Sequence, residues 1–392
     1  MTGRRYALIA GGGTAGHLQP ALAVAEALVD AGHDRSTIGF IGSSRGQDAT
    51  ALEGRGFPYE LLPGRGVVRS LSLGSIVQNI GALWGLAVAA VRAQAIVRRA
   101  RPEVIVAVGG YASMAGALAA VVQRIPLVLV NIDAVPGAAN RLFGRWASAS
   151  AVGWEGTALA NATVTGTPVR PAIASVDRSE AAMQSAKRAL GLPEDRSLVV
   201  VFGGSLGARR INGAVDGLAD QWVDRDDVAI YHIVGRRDWG AYATDGSADR
   251  IARVEGALTL VRVPYEERMD VVYTAADVVV CRAGAMTIAE LAAAGVPSVL
   301  VPLPGAPGDH QTANARVLER AGGAVMLPDP TCTADALGDA VGRLLADPAL
   351  RQFMGAAAAA QGRPDAAAAG ARVVESVASG RSRRGTPGAG HA

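Results

Sequence analysis

Continuous apolar runs that enter a glycine turn and then a helical pattern occur at two distant points of the chain. The first run covers residues 6–10 and leads into the glycine-rich segment 11–16 and a helical pattern from about Pro20 to Ala31. The second covers residues 198–202 and leads into the glycine-rich segment 203–208. An uninterrupted apolar strand followed by a glycine turn and a helix is typical of buried parallel sheets. The pattern therefore predicts two Rossmann-like halves in an α/β protein.

Shorter apolar runs alternate with helical patterns in both halves. The segment Thr167-Pro168-Val169-Arg170-Pro171 contains two prolines that stiffen the exit from a strand, so it predicts the joint between the halves. The last residues, rich in Arg, Gly, Ser and Pro, predict a disordered tail. The remaining predicted strands are residues 37–41, 104–108, 126–130, 162–164, 230–234, 258–261, 278–281 and 298–301.

Composition excludes several classes of protein. Hydrophobic residues make up 50% of the 392 residues, which excludes a disordered chain. The 2 cysteines, Cys281 and Cys332, are too few for a disulfide scaffold and lack the spacing of metal ligands, which fits a reducing compartment. A formal charge of +3 is too small to indicate nucleic acid. The charged turn Asp224-Arg225-Asp226 resembles the metal-binding carboxylate pair of some glycosyltransferases, but a solvated loop fits it better, so we expect no metal.

One uncharged stretch raises the question of a membrane. Residues 71–91 are long enough to span a bilayer, although their serines, amides and glycines favour a helix outside it. The N-terminal apolar run, interrupted by glycines, is better explained as a strand than as a signal peptide. The helical pattern around Ile76–Arg99 combines Trp84 with Arg92 and Arg98, and such a surface can lie on an anionic membrane without crossing it.

The first glycine turn formally satisfies G-x-G-x-x-G, a dinucleotide-binding pattern. A dinucleotide site also requires an acidic residue at the end of the second strand, and here that strand ends without one. A nicotinamide cofactor is therefore disfavoured, with Arg45 leaving a weak opening for a 2′-phosphate. The glycines still allow a ligand to approach a helix N-terminus, where His17 supplies a titratable group or a structural cap.

Glycine turns in the second half also lead into helices. The turn with Ser205 is not a Walker A loop, since no lysine follows, but it could hold a diphosphate or simply form a tight connection. After Cys281 a further turn leads to Glu290, whose carboxylate could accept both hydroxyls of a ribose or could be an ordinary first-turn residue. Gln311 and Asn314 could bind sugar hydroxyls or form a helix cap.

Four motifs combine into a recognisable set that covers approximately residues 6–378. Together they closely resemble the MurG family, peptidoglycan enzymes that add N-acetylglucosamine to undecaprenyl-diphospho-muramoyl-pentapeptide. The motifs are Gly12-Gly13-Thr14-Ala15-Gly16-His17 with Pro20-Ala21-Leu22-Ala23, Gly109-Gly110-Tyr111, Gly203-Gly204-Ser205-x-Gly207-Ala208-Arg209, and Cys281-Arg282-Ala283-Gly284-Ala285-Met286-Thr287-x-x-Glu290 with Gln311-x-x-Asn314.

The resemblance implies a GT-B fold, in which two Rossmann-like domains face a cleft. The N-terminal acceptor and membrane-facing domain would cover residues 1–170 and be completed by helices at about 357–378. The C-terminal domain for the UDP-sugar would cover 171–356, with a disordered tail over 379–392. The implied activity is inverting, metal-independent transfer from UDP-N-acetylglucosamine to the lipid-linked muramoyl-peptide (lipid I to lipid II), without a cofactor. The implied location is peripheral, on the anionic cytoplasmic side of the cell membrane, because the helix around Ile76–Arg99 matches the family's membrane-associating patch.

The resemblance also implies roles for individual residues. Arg170 would balance phosphate charge, Glu266 would lie where uracil is held largely by backbone, and His17 would be the catalytic base. Gln311 and Asn314 would face the sugar. The implied donor-binding residues are Thr14, Ala15, Gly16, Arg170, Ser205, Glu266, Ala285, Met286, Thr287, Ile288, Ala289, Glu290, Gln311 and Asn314.

One segment departs from the family's pattern. Where the family usually has His-Glu-x-Asn, this chain has Val130-Asn131-Ile132-Asp133. The loss of that His and Glu opens two alternatives: a paralogue with another acceptor, such as a specialised metabolite, and a UDP-sugar-binding protein without catalysis. A separate competing enzyme class is an epimerase of the same fold that acts on UDP-N-acetylglucosamine.

Overall fold

The chain folds into two compact units. The structure, a computed structural model, describes residues 3–12, 15–44, 48–63, 73–204, 207–243, 250–255 and 257–384. The first unit consists of Met1–Val169 together with Asp365–Ala392, and the second unit is Arg170–Pro364.

The first unit is built on a parallel sheet of seven strands. The spatial order is β3-β2-β1-β4-β5-β6-β7, and every neighbouring pair is parallel. Apolar side chains of the central strands and of α3 and α4 form the core on one face. The strands are β1 Ala7–Gly11, β2 Ile38–Ser43, β3 Tyr59–Leu62, β4 Val104–Gly109, β5 Leu127–Asn131, β6 Ala149–Val152 and β7 Ala162–Val164, and the helices are α1 Ala15–Asp30, α2 Asp48–Leu52, α3 Leu73–Ala100, α4 Gly110–Gln123 and α5 Ala138–Phe143.

The second unit repeats this architecture with one antiparallel edge. Its strand order is β10-β11-β9-β8-β12-β13-β14, and only β10 runs antiparallel to its neighbour. The strands are β8 Ser197–Phe202, β9 Val228–Ile233, β10 Ile251–Glu255, β11 Leu258–Val263, β12 Val278–Cys281, β13 Ser298–Leu300 and β14 Ala324–Met326. The helices are α6 Pro171–Ala174, α7 Glu180–Ala189, α8 Arg209–Gln221, α9 Met269–Ala275, α10 Ala285–Ala294, α11 His310–Ala321, α12 Ala334–Ala346 and α13 Pro348–Ala359.

The two predicted Rossmann-like halves are confirmed, with a limited set of errors. Strands β3, β10 and β14 were missed because they lie at or beside sheet edges and carry polar or half-exposed residues. Strand β6 was missed because its small residues, Ala-Ser-Ala-Val, give a weak apolar signal. The predicted start of the first helix at Pro20 is wrong, since α1 begins at Ala15 and Pro20 lies inside it. Proline favours the first helical turn, and that preference misled the assignment.

The last helix of the chain, α14 (Ala366–Arg384), belongs to the first unit. It packs on α1, where a Cβ on Gly370 would lie 3.3 Å from Val24 Cγ2, and on the turn after α1, where His33 Nε2 lies 3.0 Å from Glu375 Oε1. The return to the first unit therefore begins at Asp365, later than the expected residue 357, because α13 packs against α10 in the second unit. The helix also continues past the expected start of the tail at 379, and residues 385–392 lie outside the described set.

Close packing of α4 on β1 generates a stability prediction. A Cβ on Gly116 would lie 2.4 Å from Ala10 Cβ, so we expect Gly116→Ala to lower the free energy of unfolding by about 1–3 kcal/mol through overpacking. Denaturant unfolding of the full chain measures this. The control is Gly213→Ala in α8, which meets nothing within 4 Å and should raise stability by up to about 1 kcal/mol through helix propensity. Equal stability of the two variants would contradict the proposed contact.

Candidate active site

The buried carboxylate of Glu290 lies beside a tyrosine hydroxyl and an arginine in the second unit. Glu290 is one turn inside α10, its side chain is 13% exposed, and its Oε2 accepts a hydrogen bond of 2.9 Å from the Tyr273 hydroxyl. Its Oε1 lies 4.0 Å from Arg170 Nη2, and Arg170 Nη1 donates to the Glu267 carbonyl at 3.4 Å. Burial raises the pKa of Glu290, and the nearby Arg170 charge and the Tyr273 hydrogen bond only partly offset that effect. The structure thus brings Arg170 and Glu290 together.

The N-terminus of α10 offers backbone N–H groups beside this carboxylate. The helix begins directly after Gly284, and no side chain caps it. Orphan N–H groups and the helix dipole together favour an anion at such an end. The predicted residues Ala285, Met286, Thr287, Ile288 and Ala289 form its first turns, which places their backbone and not their side-chain chemistry at the site.

Two amide side chains hold the turn that precedes α10. Gln311 Oε1 accepts hydrogen bonds from the backbone N–H of Ala283 at 3.2 Å and of Leu303 at 2.9 Å. Asn314 Nδ2 donates to the Ala283 carbonyl at 3.2 Å, and Asn314 is fully buried. The buried amide of Asn314 therefore supports the turn before α10, and its expected contact with the sugar stays a prediction. Gln311 lines a cavity and can still contact a ligand.

Glu266 is turned toward its own loop. Its Oε2 accepts a hydrogen bond from Tyr231 at 2.9 Å, and its Oε1 accepts from the backbone N–H groups of Glu267 and Arg268 at 3.0 Å each. Burial acts to raise the pKa of Glu266, but hydrogen bonds from Arg268 and Tyr231 outweigh it and lower that pKa. The carboxylate thus serves to shape the loop, which leaves backbone groups as the means of contacting a base. The adjacent Tyr265 is 41% exposed.

A cavity of about 570 Å³ opens beside the glycine turn that follows β8. A Cβ on Gly203 would lie 2.3 Å from Ala208 Cβ, and Gly207, at φ +83°, leaves no room for one beside the Val234 carbonyl, so both positions require glycine. The predicted Ser205 lies outside the described residues. The lining consists of Gly203, Gly204, Gly207, Ala208, Arg209, Arg210, Arg237, Arg282, Leu303 and Gln311.

His17 lies in the first turns of α1 and contacts the glycine pair after β4. A Cβ on Gly109 would lie 2.5 Å from His17 Cδ2, and a Cβ on Gly110 would lie 2.3 Å from the Gly12 carbonyl oxygen. Both glycines have positive φ, +117° and +79°. The Gly-Gly pair is therefore required for the imidazole to reach the carboxyl ends of β1 and β4. Gly16 is half-buried at the start of the same helix, Ala15 contributes backbone, and Thr14 lies outside the described residues.

The segment that departs from the family's pattern is a structured turn in the first unit. Val130 is 4% exposed and Asn131 is 3% exposed. Asn131 Nδ2 donates to the Asp133 carbonyl at 2.6 Å, while its Oδ1 accepts from Gly137 N at 3.2 Å and from Asn140 Nδ2 at 3.0 Å. Asn131 therefore connects the turn after β5 to α5, and both atoms of its amide are hydrogen-bonded in doing so.

Sequence analysis missed residues beside Glu290 and residues that line the cavity after β8, both in the second unit. Tyr273 could not be identified from the sequence, because it lies in an apolar helical pattern that does not indicate the hydrogen bond of its hydroxyl to Glu290. Three of the cavity arginines, Arg209, Arg210 and Arg237, did carry a signal, since each belongs to an arginine pair that follows a glycine turn. Their convergence depends on how β8, β9 and β12 are ordered in the sheet, which the sequence pattern did not supply.

Two searches of the described residues are negative. Within residues 3–384, less the gaps given above, no group of three or more His, Cys, Asp or Glu side chains is placed to hold a metal ion. In the same part of the chain, no helix combines the length and the apolarity that a bilayer-spanning segment requires.

Family profiles match both units. The profile of the glycosyltransferase family 28 N-terminal domain matches residues 7–152, and that of the C-terminal domain matches residues 198–369. These matches, with the two Rossmann-like sheets, define a glycosyltransferase of the GT-B fold.

Individual relatives identify the family within this class of glycosyltransferases. A transferase of Nocardioides sp. (strain ATCC BAA-499 / JS614) is 39% identical, covering 96% of this chain and 99% of its own. One of Desulforudis audaxviator (strain MP104C) is 35% identical, covering 95% and 98%. Both are named UDP-N-acetylglucosamine–N-acetylmuramyl-(pentapeptide) pyrophosphoryl-undecaprenol N-acetylglucosamine transferase. The crystal structure of Acinetobacter baumannii MurG, 27% identical, has a TM-score of 0.74 and covers 96% of this chain and 99% of that one. The chain belongs to the MurG family of N-acetylglucosamine transferases.

The hydrogen bond from Tyr273 to Glu290 yields a prediction about stability and pH. The raised pKa of Glu290 means that the folded state binds this proton more tightly than the unfolded chain, so the associated stability is present at low pH and is lost as pH rises through the folded pKa. Tyr273→Phe removes a stabilising donor and should raise that pKa further. We expect a loss of about 1–3 kcal/mol at neutral pH and a smaller loss under acidic conditions, measured by denaturant unfolding.

The control for this variant is Tyr242→Phe in the same unit. Tyr242 donates to Asp216 Oδ2 at 2.8 Å, but the Asp216 side chain is 44% exposed, so water can replace the lost donor. A Tyr273→Phe loss that does not exceed the Tyr242→Phe loss, or that stays constant with pH, would show that Glu290 does not depend on the Tyr273 hydroxyl.

Proposed function

We propose that this chain transfers N-acetylglucosamine from UDP-N-acetylglucosamine to undecaprenyl-diphospho-muramoyl-pentapeptide, converting lipid I to lipid II in peptidoglycan synthesis. Membership of the MurG family supports the donor and the acceptor. The single structural observation that carries the proposal is the cluster of Arg170, Tyr273 and Glu290 beside the uncapped N-terminus of α10. A carboxylate, a cation and free N–H groups in one place suit a nucleoside diphosphate.

The donor would be held by the second unit. Glu290 accepts hydrogen bonds from the ribose hydroxyls, the first-turn N–H groups of α10 bind the diphosphate, and Arg170 neutralises part of its charge. In the reaction the acceptor oxygen bonds to the anomeric carbon, the bond from that carbon to the UDP oxygen breaks, and the configuration inverts. Charge that develops on UDP is stabilised by groups already in place, which is where preorganised electrostatics contribute most.

The acceptor hydroxyl must lose a proton, and we assign His17 to that step. The imidazole lies where Gly109 and Gly110 give it room at the carboxyl ends of the strands, the usual position of functional groups in open α/β sheets. Neutral histidine is a competent general base near neutral pH. Thr14, Ala15 and Gly16, which precede it, stay predictions as donor contacts.

Replacement of His17 tests the assignment. His17→Ala should lower kcat by about 10²–10⁴-fold, the usual contribution of a general base, while the Kd for UDP stays unchanged. Release of UDP in the presence of both substrates measures kcat, and calorimetry measures Kd. The matched control is His33→Ala, since His33 pairs with Glu375 at the end of α1 and should leave kcat unchanged. A His17→Ala enzyme with full kcat would remove His17 from the reaction.

The turn after β5 favours one second candidate, a transferase that uses another acceptor. Neither buried Val130 nor hydrogen-bonded Asn131 can supply the acid–base or polar groups of the family's His-Glu pair. Incubation with UDP-N-acetylglucosamine, with and without lipid I, separates the candidates. UDP release that requires lipid I supports the proposed reaction. UDP binding without release supports another acceptor or a binding protein, and inversion at a sugar carbon without acceptor supports an epimerase.

We also propose that the first unit binds an anionic membrane surface on its cytoplasmic side, as a peripheral protein. Helix α4 packs against α3 and α5, and the three helices expose Val91, Val122 and Leu142, at 70%, 58% and 51%. The Arg145 guanidinium stacks 3.8 Å from the Trp146 ring, and Trp146 is 42% exposed. Exposed apolar side chains interleaved with arginine suit a lipid headgroup region. The side chain of Trp84, which the sequence analysis placed on this surface, lies outside the described part of α3.

Charge placed on this surface should release the protein from lipid. The double variant Val122→Asp/Leu142→Asp should lose most of its co-sedimentation with phosphatidylglycerol vesicles, because acidic groups repel the anionic surface and no longer bury apolar area. The control is Phe353→Asp on α13 of the second unit, an equally exposed apolar residue at 63%, which should leave vesicle binding unchanged. Equal binding of both variants would place the membrane contact elsewhere.

A further inference from the structure

A fully buried carboxyl group lies at the carboxyl ends of β1 and β2 in the first unit. It belongs to Asp48, which begins α2 and is 0% exposed. Its Oδ2 accepts a hydrogen bond of 2.7 Å from the backbone N–H of Ser43, the last residue of β2. The side chain is thereby fixed to the end of this strand.

Two glycines make the room that this carboxyl group occupies. A Cβ on Gly12, the residue after β1, would lie 2.0 Å from Asp48 Oδ2, and a Cβ on Gly42 in β2 would lie 3.0 Å from the same oxygen. Gly12 also has φ +134°, a conformation that residues with a side chain rarely adopt. The Asp48 carboxyl group therefore lies directly against the backbone of the turn after β1.

The backbone of Gly12 in turn contacts the glycine pair beside His17. A Cβ on Gly110 would lie 2.3 Å from the Gly12 carbonyl oxygen and 3.6 Å from His17 Nδ1, and a Cβ on Gly109 would lie 2.5 Å from His17 Cδ2. A continuous series of contacts therefore leads from Asp48 through Gly12 and Gly110 to the imidazole.

Burial limits what Asp48 can do. A side chain with no exposed surface cannot touch a substrate, which excludes it as a general base and as the ribose-binding acid of the dinucleotide pattern. A buried carboxyl group is also a poor source of net stability, because its desolvation cancels much of what its hydrogen bonds contribute. What it supplies, and an apolar side chain of similar size does not, is acceptor oxygens held in fixed places among backbone groups.

We propose that Asp48 is a positioning residue for His17. It holds Gly12 at the end of β1, the Gly12 carbonyl then packs on Gly110, and the imidazole keeps its place beside this glycine. A misplacement of about 1 Å at a reacting group can cost about 10²-fold in rate. This inference rests on the proposed function, because it takes His17 as the base of the transfer.

Nuclear magnetic resonance of the histidine rings tests the placement of His17 without requiring transfer. The chain has 5 histidines, and the ring signal of His17 is the one that His17→Ala removes. Asp48→Asn keeps the size of the side chain but replaces one acceptor oxygen by an NH2 group. We expect Asp48→Asn to shift the His17 Cε1–H signal and Asp48→Ala to shift it further, while the signals of His33 and His232 stay in place.

Kinetics of the full chain test the consequence for the reaction. Asp48→Asn should lower kcat about tenfold or more and leave KM for UDP-N-acetylglucosamine unchanged, because the donor is bound by the second unit. Asp48→Glu keeps both acceptor oxygens and should recover part of the kcat that Asp48→Ala loses. Thermal unfolding measures the folded fraction of each variant, since a loss of folded protein alone lowers kcat without moving the His17 signal.

The matched control is Asp34→Asn, at the opposite end of β2. Asp34 also accepts a hydrogen bond from a backbone N–H, that of Ser36 at 2.8 Å, but it caps the short helical turn before β2 and is far from the glycine turn along the strand. This variant should leave both kcat and the His17 signal unchanged.

Two results would overturn the positioning role. One is a His17 signal that stays in place in both Asp48→Asn and Asp48→Ala. The other, where His17→Ala does lower kcat, is a folded Asp48→Asn enzyme with full kcat. If the wild-type chain shows no transfer, or if His17→Ala keeps full kcat, the proposed function or the assignment of the base fails, yet the ring signal still decides whether Asp48 positions His17.

Discussion

Close approach of backbone at the carboxyl ends of parallel strands is the constraint on which both units depend. In the first unit, Gly109 leaves room for the His17 ring and Gly110 for the Gly12 carbonyl. In the second unit, Gly203 and Gly207 do the same for the turn that enters α8. A single methyl group at any of these positions would overlap a neighbour. The glycines therefore permit functional groups and helix N-termini to gather at one edge of each sheet.

The second unit concentrates buried charge at that edge. Glu290, Asp238 and Asp329 are each nearly buried, and each lies beside at least one arginine. Such pairs add little net stability to a fold, because desolvation cancels much of the attraction. A buried carboxylate does fix the orientation of the arginine beside it, because its oxygens hold the guanidinium by charge-assisted hydrogen bonds.

The turn after β5 in the first unit is organised differently, with neutral polar groups. Asn131 and Asn140 bond to each other and to the backbone, and Tyr111 contacts the carbonyls of Pro63 and Gly85 at 2.9 and 2.6 Å. Neutral amides set the shape of the turn after β5 without adding charge. This turn is the segment at which the resemblance leads one to expect His-Glu-x-Asn and the chain has Val130-Asn131-Ile132-Asp133.

The sequence by itself determined the two Rossmann-like halves, because apolar runs followed by glycine turns report strand, turn and helix locally. It also marked His17 and Glu290, whose chemistry stands out beside such turns, whereas Arg170 came from the resemblance to the family. Tertiary structure decided what no local pattern encodes. Sheet order brings Tyr273 to Glu290 and gathers the arginines of three segments around two buried aspartates. Tertiary structure likewise buries Asn314 and joins its amide to the Ala283 carbonyl, since exposure depends on neighbours that are distant along the chain.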